Sequence, residues 1–507
     1  MQLDSELCAM HTNSNRSSVA VIGSGIGGLA VAIRLAKQGC KVTVFEANAT
    51  AGGKIAELRQ NGYRFDMGPS VLTMPEYIDA LFELCGERPE DHFKYTRLDP
   101  IFKYFFEDGT SIETPADADR LADELVKKTT VSRQSVVTFL QRSKEKLELT
   151  DPVFLQRSLH QWKNYFDWPT LRGILNFYKV EAFTTMAIAN AALFKDDKVA
   201  DIFNRYASYN GSDPYQAPAT LNLISHYEIT LGAYYPEGGI YAIIEALVGL
   251  ATRVGVQFRF DSKVQRIVVK DSWAVAVVVN EMEEAFDFIV SNADVQTTYD
   301  RLMPEQKRPS LTLDRPKSSS VIVFFWGMKW SFPQLNIHNL FMSANPKEEY
   351  HHLFKKQTGY SDSSVYLYIS AKENLSDAPS GCENWFTMVS VPHDTGQDWE
   401  AIVNQVRGDI ISKLSRQLGM DVAPFIQTES VMDPRYIAEK TSSAMGAVFG
   451  NSSNGIFSAF LRHSNFTNNI KNLYFCGGSV HPGSSIPLCL LSAKITAEMI
   501  EKRSLLL

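Results

Sequence analysis

The chain has 507 residues, more than a single compact core usually holds, so two or three domains are expected. Its formal net charge of −7, without a basic tract or an RNA-binding motif, argues against a nucleic-acid-binding protein. The 6 cysteines are scattered, with no C-x-x-C pair and no metal-ligand spacing. This usage favours a reducing cytoplasm and predicts no metal site.

Two segments bear on whether the chain is secreted or inserted into a membrane. Residues 1–15 are polar and lack an apolar core, so they are predicted to be a disordered leader rather than a secretory signal. The run 182–194 is the nearest to a membrane span, but it contains Thr and Asn and is shorter than the ~20 residues that cross a bilayer. The sequence therefore predicts a chain that does not cross a membrane.

A glycine-rich turn joins a short apolar run, VAVI, to a predicted helix. Gly23, Gly25 and Gly28 stand in G-x-G-x-x-G register directly after that run. The first glycine permits a tight turn, the second lets the backbone approach a pyrophosphate, and the third lets the helix pack close to the strand. The amides and the positive dipole end of the helix then favour phosphate. The pattern predicts a dinucleotide site.

A carboxylate follows at the end of the next predicted strand. Gly39 ends the helix, residues 42–45 form a second buried strand, and Glu46 lies at its carboxyl end. This position suits an acceptor for a ribose 2′-OH. The alternative, a glycine-rich helix start in an ordinary α/β domain, leaves Glu46 unexplained.

A second glycine turn comes next in the chain. Gly52, Gly53 and Lys54 form it, and residues 62–69 alternate polar and apolar side chains before a Gly-Pro pair. A plain NAD enzyme would continue into another βαβ unit. A strand pair at this place favours a flavoprotein.

Residues 75–230 are predicted to be mostly helical, with apolar residues at a 3.6-residue period in 117–128 and 133–149. Residues 151–179 combine aromatic side chains with interleaved basic residues, namely Arg157, Lys163, Arg172 and Lys179. They form either a helical core with a solvated face or a patch that enters the lipid boundary. A further helix is predicted over Thr220–Thr230, where a lone histidine is more typical of a structural residue.

The second half of the chain returns to strands. Residues 235–297 contain a helix and several strand-like runs that would complete the first sheet, so the first domain is predicted to be discontinuous. Residues 318–330, 364–370 and 384–393 predict antiparallel strands lined with aromatic residues. Such a sheet suits a large apolar ligand, or it is an ordinary sheet core. His351 and His352 have no ligands at metal spacing and are interpreted as surface residues.

A third strand, turn and helix start lies near the C-terminus. Residues 473–475 predict a buried strand, the pair Gly477-Gly478 ends it, and Pro487 lies near the first position of a helix, where its missing N–H costs nothing. The positive end of that helix would face a flavin where reduction places negative charge.

On these motifs the chain resembles the bacterial carotenoid desaturases of the phytoene desaturase type. They belong to the flavin superfamily that contains amine oxidases and Rab GDP-dissociation inhibitors. The resemblance covers residues 18–501, and its most specific segments are FDMGPSVL, YNGSDPYQAPATL, AYYPEGGIYAI, SNADV and CGGSVHPGSSIPLCLLSAK. The HPG-x-x-IP run, 481–487, points to carotenoid substrates. The whole ending resembles the branch that desaturates 1-hydroxycarotenoids at the 3,4 position, with acyclic carotene desaturation as the alternative.

The resemblance implies an α/β fold with a discontinuous Rossmann-like FAD-binding domain, formed by residues 16–105, 235–297 and 441–507. A helical, membrane-associating region is expected at 106–234 and a mixed-sheet substrate domain at 298–440. Where the family has Pro-Gly-Gly-Arg, this chain has Ala-Gly-Gly-Lys, which keeps the charge but loses bidentate phosphate geometry.

The resemblance also implies the site residues. FAD is expected to contact the glycine turns and the C-terminal strand, turn and helix start, namely Gly23, Gly25, Gly27, Gly28, Glu46, Gly52, Gly53, Lys54, Gly68, Pro69, Ser70, Gly477, Gly478, Ser479, Ile486 and Pro487. His481, at the closing turn, is the candidate catalytic residue, and its alternative role is to hold that turn by a hydrogen bond to the backbone. Arg462 and His463 are candidates for substrate or cofactor contacts.

The implied reaction removes two hydrogens from adjacent carbons of an acyclic carotenoid, one as hydride to the flavin and one as a proton. The reduced flavin would return electrons to O2 or a quinone. A water-insoluble substrate implies a cytoplasmic protein that binds the membrane surface peripherally. The rival functions are an amine or porphyrinogen oxidase, a carotenoid isomerase, and a flavin-free binder of prenylated proteins.

Overall fold

The computed structural model describes residues 17–166, 168–458 and 461–504, so the predicted leader at 1–15 lies outside the described residues. The strands are β1 Ser18–Ile22, β2 Lys41–Phe45, β3 Ala56–Gln60, β4 Tyr63–Met67, β5 Tyr95–Arg97, β6 Phe102–Phe105, β7 Ser111–Thr114, β8 Tyr234–Pro236, β9 Gln257–Arg259, β10 Val264–Lys270, β11 Trp273–Val279, β12 Met282–Ala285, β13 Phe288–Ser291, β14 Ser320–Met328, β15 His338–Phe341, β16 Val365–Tyr368, β17 Glu383–Val391, β18 Ile426–Met432 and β19 Leu473–Phe475.

Helices lie between these strands, together with short 3₁₀ and π-helical turns. The α-helices are α1 Ile26–Lys37, α2 Glu76–Cys85, α3 Ala118–Lys128, α4 Arg133–Thr150, α5 Trp168–Leu175, α6 Met186–Phe194, α7 Asp197–Asn204, α8 Ala242–Arg253, α9 Val295–Thr297, α10 Ser310–Leu313, α11 Pro346–His351, α12 Trp399–Leu418, α13 Pro434–Thr441 and α14 Ile486–Ser504.

A five-stranded parallel sheet, in the order β19-β13-β1-β2-β9, carries the N-terminal glycine turn. Its strands come from three distant parts of the chain. Four of them, β1, β2, β13 and β19, are mostly buried apolar runs because both faces of a parallel sheet are covered, whereas the edge strand β9 is more polar. Side chains of α1, α8 and α14 form one core with one face, and the antiparallel sheet β10-β11-β12 shares a second core with the other.

A seven-stranded mixed sheet, β18-β14-β17-β16-β15-β6-β7, holds the largest apolar core. The strands predicted over 318–330, 364–370 and 384–393 are β14, β16 and β17, with slightly shorter bounds. Since β6 pairs in parallel with β15, we propose that the first part of the cofactor domain ends before Phe102.

In the helical region between these sheets, capping residues set where two of the helices begin. The side chain of Asp117 caps α3 by accepting from the amide of Arg120, and Ser132 caps α4 by accepting from the amide of Ser135. The helix predicted over Thr220–Thr230 is instead a 3₁₀ turn, Ala219–Leu223, followed by a π-helical turn, His226–Leu231. In the part of the chain that the structure describes, no helix is both long and apolar enough to span a bilayer.

Candidate cofactor site

Three glycine turns meet at the carboxyl end of the parallel sheet. Gly25 bridges Gly52, and the amide of Gly52 donates to the carbonyl of Ser24 at 3.0 Å. A Cβ added at Gly27 would lie 3.2 Å from Cα of Gly477. The N-terminal, second and C-terminal glycine turns are therefore neighbours, although more than 400 residues separate the first from the last.

The backbone conformations of the turns require glycine at several positions. Gly23, Gly52 and Gly477 have φ of +94°, +126° and +107°, where a side chain would be strained. A Cβ at Gly28 would lie 2.1 Å from the carbonyl oxygen of Gly23. This side-chain-free surface at the start of α1 fits the pyrophosphate of a dinucleotide, because exposed amides can approach its oxygens directly.

Asn292 belongs to this glycine surface, and sequence reasoning did not select it. It follows β13 directly, and its amide Nδ2 donates to the carbonyl of Cys476 at 3.1 Å. A Cβ at Gly25 would lie 2.8 Å from Oδ1 of Asn292, and one at Gly27 would lie 2.8 Å from its Nδ2. The signal in the sequence was the SNADV segment, which ends the strand that pairs with β1.

Glu46 lies at the end of β2, as predicted, and is buried. Its Oε2 accepts from the amide and the hydroxyl of Ser24 at 2.8 and 2.6 Å. Its Oε1 accepts from the amide and the side-chain Nδ2 of Asn48 at 2.9 and 2.8 Å. A ribose hydroxyl at this carboxylate would therefore take the place of the Ser24 hydroxyl or the Asn48 side-chain amide group.

Two cationic side chains approach the C-terminal turn. Lys54 donates from Nζ to the carbonyl of Val448 at 2.6 Å, and burial lowers its pKa, while the charge of Asp294 opposes that shift. Arg462 donates from Nη1 to the carbonyls of Phe449 and Gly478 at 3.1 and 3.2 Å. Burial lowers the pKa of Arg462 to about 10. It makes no ion pair within the described residues, so its charge remains available to an anionic group.

The turn after β4 lies against the second glycine turn. A Cβ at Gly68 would lie 2.0 Å from the carbonyl oxygen of Lys54, and its φ is +127°. Pro69 follows, and Ser70 shares a hydrogen bond of 2.6 Å with the hydroxyl of Tyr366 in β16. This turn therefore links the parallel-sheet domain to the seven-stranded sheet.

The predicted residues of the C-terminal segment lie together at the start of α14. The hydroxyl of Ser479 accepts from the amide of Val295 at 2.9 Å, which ties the turn to α9. Ile486 and Pro487 are buried and open α14, and Pro487 takes its second position. Gly477 contacts α1 through Gly27, so this helix start lies beside the first glycine turn.

His481 is fully buried beneath the segment that precedes α5. Its Nε2 lies 2.7 Å from the carbonyl of Arg157, and a carbonyl can only accept, so Nε2 is assigned the proton. The rings of Phe154 and His160 meet its edge at 5.2 and 5.8 Å. Burial lowers its pKa to about 4. These contacts favour the positioning role over proton transfer.

Arg462 and His463 lie beside that turn. The backbone carbonyl of His463 accepts from the amide of His481 at 2.9 Å. The ring of His463 pairs through Nδ1 with the carbonyl of Ser464 at 2.7 Å, and burial lowers its pKa to about 4. The backbone of His463 therefore holds the turn, and its ring is neutral.

A family model for flavin containing amine oxidoreductases matches residues 26–500. The chain is 44% identical over 480 residues to a 1-hydroxycarotenoid 3,4-desaturase of Flavobacterium sp. (strain P99-3), covering 95% of this chain and 98% of the relative. It is 29% identical to a phytoene desaturase of Fusarium fujikuroi, covering 96% of this chain and 90% of that one. The cyclohexylamine oxidase of Brevibacterium oxydans IH-35A shares the fold, with a TM-score of 0.60 at 15% identity, 97% of this chain and 100% of that chain.

Proposed function

We propose that this chain, which belongs to the flavin-containing amine oxidoreductase family, is a carotenoid desaturase. The family makes it an oxidoreductase with FAD as its cofactor. We propose 3,4-desaturation of a 1-hydroxycarotenoid as the reaction. The observation that carries this proposal is the 44% identity, over 95% of the chain, to a relative of that activity. Desaturation of phytoene or another acyclic carotene is the second candidate, which the similarity to a phytoene desaturase favours.

The residues present fit FAD, and we propose the following roles for them. The glycine turns would hold the pyrophosphate against the amide end of α1, and Glu46 would hold the ribose. Bound FAD supplies hydride acceptance from a substrate carbon. The buried charge of Arg462, next to the carbonyl of Gly478, would favour negative charge in the cofactor near the start of α14.

The reacting carbons of a carotenoid carry no ionisable group. The chain must therefore orient the polyene and exclude water from it, and the aromatic core of the seven-stranded sheet is suited to that task. Two electrons leave with the hydride, and a proton leaves the neighbouring carbon. We propose that O2 or a quinone then reoxidises the cofactor.

We also propose that the protein binds the cytoplasmic membrane surface through an apolar patch around α5, defined by Phe166, Trp168, Tyr178 and Phe183. These side chains are 80%, 69%, 75% and 72% exposed. Large aromatic side chains exposed to this degree mark an interaction surface. Arg172 and Lys179, both exposed, stand among them and would meet anionic head groups.

The apolar patch is connected to the candidate site by the segment that carries Phe154 and Arg157. This segment leaves α4, contacts His481 through a ring edge and a carbonyl, and continues towards Phe166. A substrate taken from the bilayer at the patch would thus have a short path to the C-terminal turn. This arrangement supports peripheral association with the membrane as the location of the enzyme.

The proposed function is tested by pigment analysis. The FAD-loaded protein is incubated with liposomes that contain either a 1-hydroxylated acyclic carotenoid or phytoene. A red shift of absorption with the hydroxylated carotenoid alone supports 3,4-desaturation, because added conjugation lowers the transition energy. Conversion of phytoene supports the second candidate. No shift with either, despite bound FAD, overturns both.

A further inference from the structure

One side chain, that of Asn292, fills the space beside four glycines of the candidate cofactor site. A Cβ built on Gly25 would lie 2.8 Å from Oδ1 of Asn292, and one built on Gly28 would lie 3.0 Å from the same oxygen. A Cβ on Gly27 or on Gly477 would lie 2.8 or 2.5 Å from Nδ2. Side chains do not pack at such distances, so Asn292 can occupy this place only because both turns carry glycine.

Three neighbouring strands end at Asn292. Its backbone amide donates to the carbonyl of Ile22, the last residue of β1, at 2.8 Å. Its Nδ2 donates to the carbonyl of Cys476, which directly follows β19, at 3.1 Å. Since a carbonyl can only accept, Nδ2 is assigned to the side of Cys476 and Oδ1 to the side of α1. Asn292, which follows the strand between β1 and β19, therefore joins the N-terminal and C-terminal glycine turns.

The amide oxygen of Asn292 lies beside the start of α1, which is open to an anion. Within the described residues no side chain caps α1, and its first turn, IGGL, holds no acidic residue. The first N–H groups of a helix lack partners within the helix, and its positive end favours negative charge. Because Asn292 is uncharged, it does not repel a pyrophosphate at this place. A carboxylate of the same shape would repel it.

Asn472 makes the same kind of bond at the opposite edge of the sheet. Its Nδ2 donates to the carbonyl of Asp287 at 2.8 Å, and it precedes β19 whereas Asn292 follows β13. Because β13 and β19 are parallel, the two asparagines lie at opposite ends of this strand pair. Both side chains join the same two strands, but only that of Asn292 does so at the glycine turns.

We propose that Asn292 is a positioning residue for FAD. Its side chain holds the N-terminal and C-terminal glycine turns at the separation that the cofactor requires, and its lack of charge leaves the start of α1 to the pyrophosphate. This inference rests on FAD as the cofactor and not on the identity of the carotenoid, so it stands or falls separately from the proposed desaturation.

The first test compares Asn292→Ala with Asn472→Ala. Each variant loses one hydrogen bond between β13 and β19, so both are expected to lower the urea midpoint of the FAD-free protein by a similar amount. Only Asn292→Ala is expected to bind FAD more weakly, by roughly tenfold. Fluorescence titration with FAD and the FAD content after purification measure this loss. Wild-type affinity in Asn292→Ala overturns the proposal, and so does an equal loss of affinity in both variants.

The second test uses Asn292→Asp, which keeps the shape of the side chain and adds a charge. At about pH 8 it is expected to bind FAD roughly tenfold more weakly than Asn292→Ala, because the carboxylate faces both the pyrophosphate and the carbonyl of Cys476. Bound FAD raises the pKa of the new carboxyl, so binding takes up a proton. The deficit relative to the wild type should therefore shrink as the pH falls to about 5.

The control for this test is Asn472→Asp, which adds the same charge at the far edge of the sheet and should keep wild-type affinity for FAD. Equal affinities of Asn292→Asp and Asn292→Ala overturn the electrostatic role of Asn292, and so does a deficit that does not change with pH. If FAD binds as expected but neither carotenoid is converted, the role of Asn292 stands and only desaturation is rejected.

Discussion

At the scale of single residues, the carboxylate of Glu46 is already saturated by the chain itself. Its four hydrogen bonds come from Ser24 and Asn48, two from backbone amides and two from side chains. The backbone donors fix the carboxylate at the end of β2, and only the side-chain donors can be exchanged for ribose hydroxyls. Both oxygens of the carboxylate are therefore held in place before any ligand binds.

Glu46→Gln is predicted to weaken FAD binding by roughly 10–100-fold, because the new amide group must face a donor of Ser24 or Asn48 and leaves it unsatisfied, at about 1–3 kcal/mol. The FAD content after purification and a fluorescence titration with FAD measure the effect. Glu283→Gln is the control, since Glu283 is exposed and pairs with Lys270 within the β10-β11-β12 sheet. Unchanged affinity in Glu46→Gln contradicts the ribose role.

At the scale of elements, local patterns predicted most strands and helices but not their long-range partners. β11, Trp273–Val279, is one of the strand-like runs expected within 235–297, because an uninterrupted apolar run bounded by polar residues specifies a buried strand by itself. In place of the α-helix predicted over Thr220–Thr230, the chain forms a 3₁₀ turn, which is wound more tightly than an α-helix, followed by a π-helical turn, which is wider. Propensity fixes that a segment is helical, whereas the packing of buried groups fixes the hydrogen-bond pattern.

For the candidate site too, the sequence predicted the local features but not the long-range contacts. The glycine turns were visible because glycine is required locally, by positive φ and close backbone approach. The place of Asn292 was not visible, since it depends on the pairing of β13 with β1, which no local pattern encodes. The glycine turns proposed from the resemblance therefore lie together. The polar side chain that packs against them, Asn292, could be identified only from the structure.

The apolar patch around α5 makes a prediction at this scale. The double variant Trp168→Ser with Phe183→Ser is predicted to lower the binding constant for liposomes by about 100-fold or more. Each aromatic ring lost from the lipid boundary removes about 1.5–3 kcal/mol of burial, and 1.4 kcal/mol corresponds to a factor of about ten. Binding is measured with anionic and neutral vesicles at low and high salt. Arg172→Gln should weaken liposome binding less at high salt than at low salt, because salt screens the attraction between Arg172 and anionic head groups. That difference would identify the contribution of the head groups.

The control for the patch is Leu375→Ser. This leucine is 85% exposed but lies on a turn that neighbours Asp377, not α5. It should leave liposome binding as in the wild type. Equal loss in both proteins would show that general surface hydrophobicity, rather than the patch, drives binding.

At the scale of the whole molecule, buried neutral histidines make the stability of the fold depend on pH. His338, His463 and His481 have relative exposures of 0%, 6% and 0%. Burial lowers their pKa values to about 3, 4 and 4, and for His481 the charges of His160 and Arg462 contribute. An unfolded chain would bind protons at these rings near pH 6.5, well before the folded chain does.

The sign of the pH dependence follows from these lowered pKa values. The histidines favour the folded state fully above pH 6.5, and this contribution is lost as the pH falls towards 4, by up to about 1.4 kcal/mol per pH unit for each ring. His481→Gln keeps a donor for the carbonyl of Arg157 but does not titrate. Between pH 7 and pH 5 the variant is therefore predicted to lose about 2 kcal/mol less unfolding free energy than the wild type.

Urea denaturation followed by tryptophan fluorescence at pH 7, 6 and 5 measures this difference. His351→Gln is the control, because His351 is 48% exposed and pairs with Glu348 on the surface, so the stability that this variant loses with falling pH should match that of the wild type. Parallel curves for His481→Gln and the wild type would mean that His481 is protonated or solvated in the folded protein. That result would also return it to consideration as a proton acceptor. A ring held neutral only as a support for the 154–160 segment must make the stability of the wild type fall more steeply with falling pH than that of His481→Gln.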